Sequence, residues 1–170
     1  MKEVLLVDGY NIIHAWPELK EISKESLEEA RYALVEIMQD FQGYKACHIV
    51  VVFDAYMISG GLEKKERFGQ VEVVFTKENE TADHYIERWA DGAPKNIRVI
   101  VATSDHLQQT IVLSRGASRV SARELWNEVK SFRKEIGNMY LDKPQIKSNP
   151  LENWASPEII EVLERWRRQR

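Results

Sequence analysis

One hundred and seventy residues is the length of one ordinary domain, enough for a single buried core. A hydrophobic fraction of 44%, a charged fraction of 30%, 8 Gly and 5 Pro exclude disordered, collagen-like and low-complexity chains. The net charge of −3 conceals an asymmetry: residues 1–111 carry 12 Lys/Arg against 19 Asp/Glu, and residues 112–170 carry 12 against 8. An acidic portion is a solvated face or a cluster that needs counter-cations, and a basic end suits a polyanion. No apolar run reaches the ~18 residues of a membrane span, and Asp8 interrupts the only stretch that resembles a signal sequence, so a cytoplasmic protein without membrane contact is expected. The lone Cys47 excludes an internal disulfide and a multi-cysteine zinc cage, and it reads as a small buried hydrophobe.

The apolar run 3–7, closed by Asp8-Gly9, predicts a buried strand. Ser26 with Glu29 is a capping-box pair, and Leu27, Ala30, Leu34, Ile37, Met38 and Phe41 recur at helical spacing after it. Residues 49–53 and 71–75 predict two further strands, the first ending on Asp54. A helix is predicted over 81–90, with Ala82, Tyr85, Ile86 and Trp89 on one face and Asp91-Gly92-Ala93-Pro94 as its stop. Residues 97–102 predict a strand, 105–114 a helix, 119–121 a short strand, and 122–136 a helix closed by Gly137-Asn138. From 141 to 154 the chain turns polar around Pro144 and Pro150 and reads as an extended arm. A basic helix capped by Ser156-Pro157 then runs to the end. Strands alternating with helices predict an α/β domain over 1–140 with a mainly parallel sheet, and then the arm and helix of 141–170.

In such sheets the ligand crevice lies beyond the carboxyl ends of the strands. Asp8, Asp54 and Asp105 are delivered to that edge by strand ends, and Asp83 by the first turn of a helix. Each alone is explained as a strand terminator or helix cap. Together Asp8, Asp83 and Asp105 make a crowd of like charges that needs hydrogen bonds or a hard cation, and oxygen ligands suit Mg2+ or Mn2+. Asn11 is a turn residue or a holder of phosphate. Ser104 caps the helix expected to contain Asp105 and aims its hydroxyl at the same pocket, while Glu80 has no settled role. His84 and His106 sit beside the acids in sequence and diverge from them on a helix. No Gly-x-Ser-x-Gly elbow, Gly-x-Gly-x-x-Gly or P-loop is present.

Three stretches, Leu-Val-Asp-Gly-Tyr-Asn-Ile-Ile (6–13), Glu-Asn-Glu-Thr-Ala-Asp-His-Tyr-Ile-Glu (78–87) and Val-Ala-Thr-Ser-Asp-His-Leu-Gln-Gln (101–109), occur in one order over about residues 3–140. The combination resembles the YacP-like branch of the NYN-domain ribonucleases, relatives of PIN domains. The resemblance implies a three-layer PIN-like α/β fold and a Mg2+- or Mn2+-dependent endoribonuclease that cuts messenger RNA in association with the ribosome. By position it makes Asp8, Asp83 and Asp105 metal-binding catalytic acids, with Asn11 as polar companion, Ser104 in support and Asp54 secondary. Hydrolysis of this kind leaves 5′-phosphate and 3′-hydroxyl ends.

An acidic pocket repels RNA, so the strand needs cations elsewhere. Arg115, Arg119, Arg123, Lys130, Arg133 and Lys134 supply them, as a broad patch rather than a single helical stripe. Trp16, expected in the loop after the first strand, either stacks on a base or covers a core edge, while Trp89 and Trp126 occupy core-facing positions. Two other readings remain open: a catalytically silent RNA- or ribosome-binding module, and a Mg2+-dependent phosphatase. The latter wants a second Asp two residues after the nucleophilic one, and here Asp8 is followed by Gly9 and Tyr10.

Overall fold

The run Val4-Leu5-Leu6-Val7 is buried on both sides, as a strand in the middle of a parallel sheet must be. It forms β1 (Lys2–Asp8), flanked by β2 (His48–Phe53) and β5 (Ile97–Ala102), both parallel to it. This computed structural model describes residues 2–54, 62–105, 113 and 116–141. Within them β4 (Val71–Phe75) pairs parallel with β2, β3 (Lys64–Phe68) pairs antiparallel with β4, and β6 (Ser118–Val120) pairs parallel with β5. The six-stranded order is β3-β4-β2-β1-β5-β6. Strand progression reverses at β1, so the crevice between the ends of β1 and β5 is the topological switch point.

Helices cover both faces. On one, α1 (Gly9–Ala15), α2 (Pro17–Glu25), α3 (Leu27–Lys45) and the start of α5 (Ala122–Leu141) pack through Ile12, Leu19, Leu34, Met38 and Leu125 against Leu5, Val7, Ile49 and Val51. On the other, α4 (Ala82–Gly92) brings Tyr85 and Ile86 onto Val4, Leu6, Val50, Val52 and Val101. Alternate residues of the same strands thus serve two cores, which makes the three-layer α/β architecture. Met1–Lys134 forms one compact unit and Glu135–Arg170 a second. Among the described residues no helix is long and apolar enough to cross a membrane.

Three elements go beyond the expected pattern and a fourth is longer than expected. α1 and α2 occupy a stretch expected as loop; they are short, and Trp16 joins them as C-cap of one and N-cap of the other, ahead of Pro17 at the first helical position. β3 is an edge strand of sequence Lys-Lys-Glu-Arg-Phe, whose charges blunt a free edge and erase the apolar signature of a strand. α5 runs through Gly137-Asn138 to Leu141, because one internal glycine costs a helix only about 1 kcal/mol. Of the helix expected over 105–114, only Asp105, which is not helical, and Leu113, which is, belong to the described residues; the rest of it, and the arm and terminal helix after 141, lie outside them.

Gly9 marks the closest approach in this layer. A Cβ there would stand 2.2 Å from Cε1 of Phe53, so only glycine lets α1 start directly over the end of β2. Gly9→Ala is expected to cost about 1–3 kcal/mol through forced repacking. Gly43→Ala, exposed in α3 with nothing near its Cβ, should gain about 0.5–1 kcal/mol. Thermal denaturation checks both signs, and equal effects would mean that the Phe53 contact is not limiting.

Candidate active site

Asp8 ends β1 and is the N-cap of α1; its Oδ1 accepts the Asn11 backbone N–H at 3.3 Å. It is only 9% exposed. Burial pushes its carboxyl up from 3.8 to about 7; the Asn11 N–H opposes this, and the nearby charges of Asp83, Asp54 and Asp105 add to it. Asp83, in the first turn of α4, is also raised, by burial first and then by Asp105, Asp54 and Glu87. Acids distant in sequence therefore share one field at one rim. Among the described residues, no three His, Cys, Asp or Glu side chains stand close enough together to enclose a metal ion.

The rim is held by bonds to backbone. The Asn11 side-chain carbonyl accepts the Ser104 N–H at 2.8 Å, and Ser104 Oγ accepts the Ala122 N–H at 3.3 Å. Buried Thr103 donates its N–H to the Val120 carbonyl and accepts the Asp105 N–H on Oγ1 at 3.1 Å. The loop carrying Asp105 is thus tied to α1, to β6, to the start of α5 and to itself. Ser104 uses its hydroxyl at the start of α5. Asp54 accepts the Ala82 N–H on Oδ1, fixing the first turn of α4 and hence Asp83. That role exceeds the secondary one expected from sequence, where a strand-end Asp gives no hint of its partner. Glu80 is committed elsewhere: Oε1 takes Arg88 Nη2 at 2.8 Å and Nε at 3.1 Å, and its backbone carbonyl accepts from Thr76 Oγ1.

Trp16 corrects one expectation. It is 1% exposed, packs tilted against Trp126 with ring centroids 4.8 Å apart, and donates Nε1–H to the Ala122 carbonyl at 2.8 Å. It covers the core and offers no face to a base. Of the basic residues, Arg119, Arg123, Lys130, Arg133 and Lys134 are exposed, and Arg115 lies outside the described residues. Arg123, Lys130 and Lys134 succeed one another at spacings that return to the same side of α5, opposite the buried Leu125, Val129 and Phe132. Arg133 departs from that line and pairs with Glu18 at 3.5 Å. His84 uses its N–H to close the Thr81 cap, and His106 lies outside the described residues.

A family model of the YacP-like NYN domain matches residues 5–168. The chain is 44% identical over 172 aligned positions to the uncharacterized protein YacP of Bacillus subtilis (strain 168), spanning 98% of this chain and 97% of the relative. The crystal structure of Rae1 (YacP) from Bacillus subtilis is 43% identical and superposes with a TM-score of 0.73 over 97% of this chain and 94% of that one. A mutant of the same protein gives 0.70 over 81% and 80%.

The pH dependence of stability tests the buried acid. With its folded value raised above 3.8, Asp8 contributes stability that is full below about pH 4 and lost as the pH climbs through 7, and Asp83 acts in the same direction. Metal-free protein should therefore melt at lower temperature at pH 8 than at pH 5. Asp8→Asn keeps the acceptor for Asn11 and sheds the charge, so it should flatten that slope and melt higher at pH 8. The gain is at most on the order of 4 kcal/mol. An unchanged slope would show that Asp8 ionises as freely in the fold as in the unfolded chain.

Proposed function

The chain belongs to the YacP-like NYN domain family, and on that premise we propose that it is a metal-dependent endoribonuclease that hydrolyses messenger RNA on the ribosome. The family relationship supports a nuclease-type domain. The observation that carries the reading further is the convergence of Asp8, Asp54, Asp83 and Asp105 on one rim, with Asp8 buried there against the cost of its charge. A fold keeps such a group when the charge has use.

The donors are all hard oxygens, with neither thiolate nor imidazole among them, which fits Mg2+ or Mn2+. Such ions bind one or two carboxylates and fill the remaining positions with water and substrate, so a closed protein cage is not required. One or two of Asp8, Asp83 and Asp105 would hold the ion, with water and substrate in its other positions, and the ion when bound would favour ionised water and offset phosphate charge. The chain's own part is placement: Asn11 and Ser104 hold the Asp105 loop, and Asp54 holds the helix that presents Asp83. Flanking phosphates are met by Arg123, Lys130 and Lys134, with Arg119 nearby in sequence on β6. The open spacing of the acids favours one second reading, a silent RNA-binding module.

Labelled RNA incubated with Mn2+ separates the two. The endonuclease cuts internally, stops with EDTA, and loses activity on the order of a hundredfold as Asp8→Asn or Asp83→Asn. RNA retention without metal-dependent cutting, with ribosomes present, favours the module. The new ends should be 5′-phosphate and 3′-hydroxyl, and a 2′,3′-cyclic phosphate as primary product overturns hydrolysis of this type. Greater cutting of translated than of untranslated message tests the ribosomal part. Replacing Arg123, Lys130 and Lys134 by Gln should weaken binding alike for all sequences and reduce the salt slope by about 2, at roughly 0.7 per phosphate contact on single strands.

A further inference from the structure

A cleft of about 370 Å³ opens between α3 and the β3–β4 ribbon. Phe53 is buried in its wall, Phe68 and Phe75 are partly covered, and Tyr32 is 54% exposed at its edge, with its ring set edge-on to Phe68 at 6.5 Å. The volume lies in the range of small-ligand sites. Aromatic rings connect this cleft to the acidic rim: Phe75 stacks on Phe53 at 5.6 Å, and Phe53 meets Tyr10 at 5.1 Å. Tyr10 stands two residues after Asp8, and Phe53 immediately precedes Asp54.

Arg31 stands where cleft and rim meet. It lines the cleft, and its Nη1 donates to the Tyr10 hydroxyl at 3.1 Å. Among the described residues no carboxylate pairs with Arg31, whereas Lys64 and Glu66, also on the cleft, pair with each other. Glu28 and Glu66 also line the cleft, but among the described residues neither pairs with Arg31. A part-buried guanidinium left without an ion pair, between an aromatic wall and an acidic rim, matches a ligand with a flat π-face at one end and a phosphate at the other.

We propose that this cleft is a nucleotide subsite, in which the base of a residue flanking the scissile phosphate packs against Tyr32 and Phe68 while Arg31 contacts its phosphate. The proposal rests on the endoribonuclease reading for the identity of its ligand. Base–aromatic stacking tolerates any sequence, so the subsite sets where the strand lies without selecting the base.

The test uses the full chain in EDTA, so that binding is read without cutting. A short oligoribonucleotide carries 2-aminopurine at each position in turn, and a matched series carries an abasic nucleotide there. One position should show quenched emission, and the abasic change at that position should weaken binding about fivefold or more. Tyr32→Ala should give the same weakening and relieve the quenching, Tyr32→Phe should restore both, and Arg31→Gln should weaken base-containing and abasic strands alike. Absence of binding, absence of a quenched position, or quenching indifferent to Tyr32→Ala overturns the subsite. Quenching that depends on Tyr32 in a protein that fails to cut with Mn2+ upholds the subsite and removes the nuclease reading. Cutting without such quenching does the reverse.

Discussion

The carboxylate of Asp8 stands at the end of the central strand, with β2 and β5 on either side and α1 starting directly above it. Water reaches little of it, and three further aspartates add like charge. Desolvation and repulsion both oppose its ionised form, and the one hydrogen bond from Asn11 compensates only in part. The neighbouring elements must hold this arrangement together while it works against them. The rim is fastened by side-chain oxygens of Asn11, Ser104 and Asp54 that accept backbone N–H groups.

Those fastenings have a common form. Asn11 and Ser104 each accept one backbone N–H from a segment distant in sequence, and Asp54 does so for α4. An accepted N–H at a helix start satisfies a donor that the helix itself leaves open. Each acid is therefore positioned by a bond that also stabilises the element carrying it or its neighbour. Removing Asn11 would loosen the Asp105 loop and withdraw a backbone contact together, so placement and stability are coupled at this edge.

The legibility of each segment in the sequence depends on how strongly burial patterns it. The strands 71–75 and 97–102 coincide with prediction because apolar runs, each broken by a single charged residue, Glu72 or Arg98, still have one low-energy place, inside a mainly parallel sheet. The Ser26 cap is equally legible, since its hydroxyl accepts the Glu29 N–H. Ser121 and Glu124 form a reciprocal capping box that was there to be read by the same spacing. β3 was illegible because an exposed edge strand needs charge more than hydrophobicity. Asp8 and Asp83 could be singled out by their positions at element ends, whereas the bond from Ala82 to Asp54 depends on a crossing of β2 and α4 that no local pattern encodes.

Trp16 connects the buried core to the rim. A tryptophan beside a proline near the first strand invites a nucleic-acid role, yet its indole N–H reaches the Ala122 carbonyl and its ring lies on Trp126. Ala122 also gives its N–H to Ser104, so one residue at the start of α5 is gripped from the α1–α2 corner and from the Asp105 loop. The helix that presents Arg123, Lys130 and Lys134 thereby starts from a point fixed relative to the acids. A buried ring thus sets the orientation between the cationic face of α5 and the anionic rim.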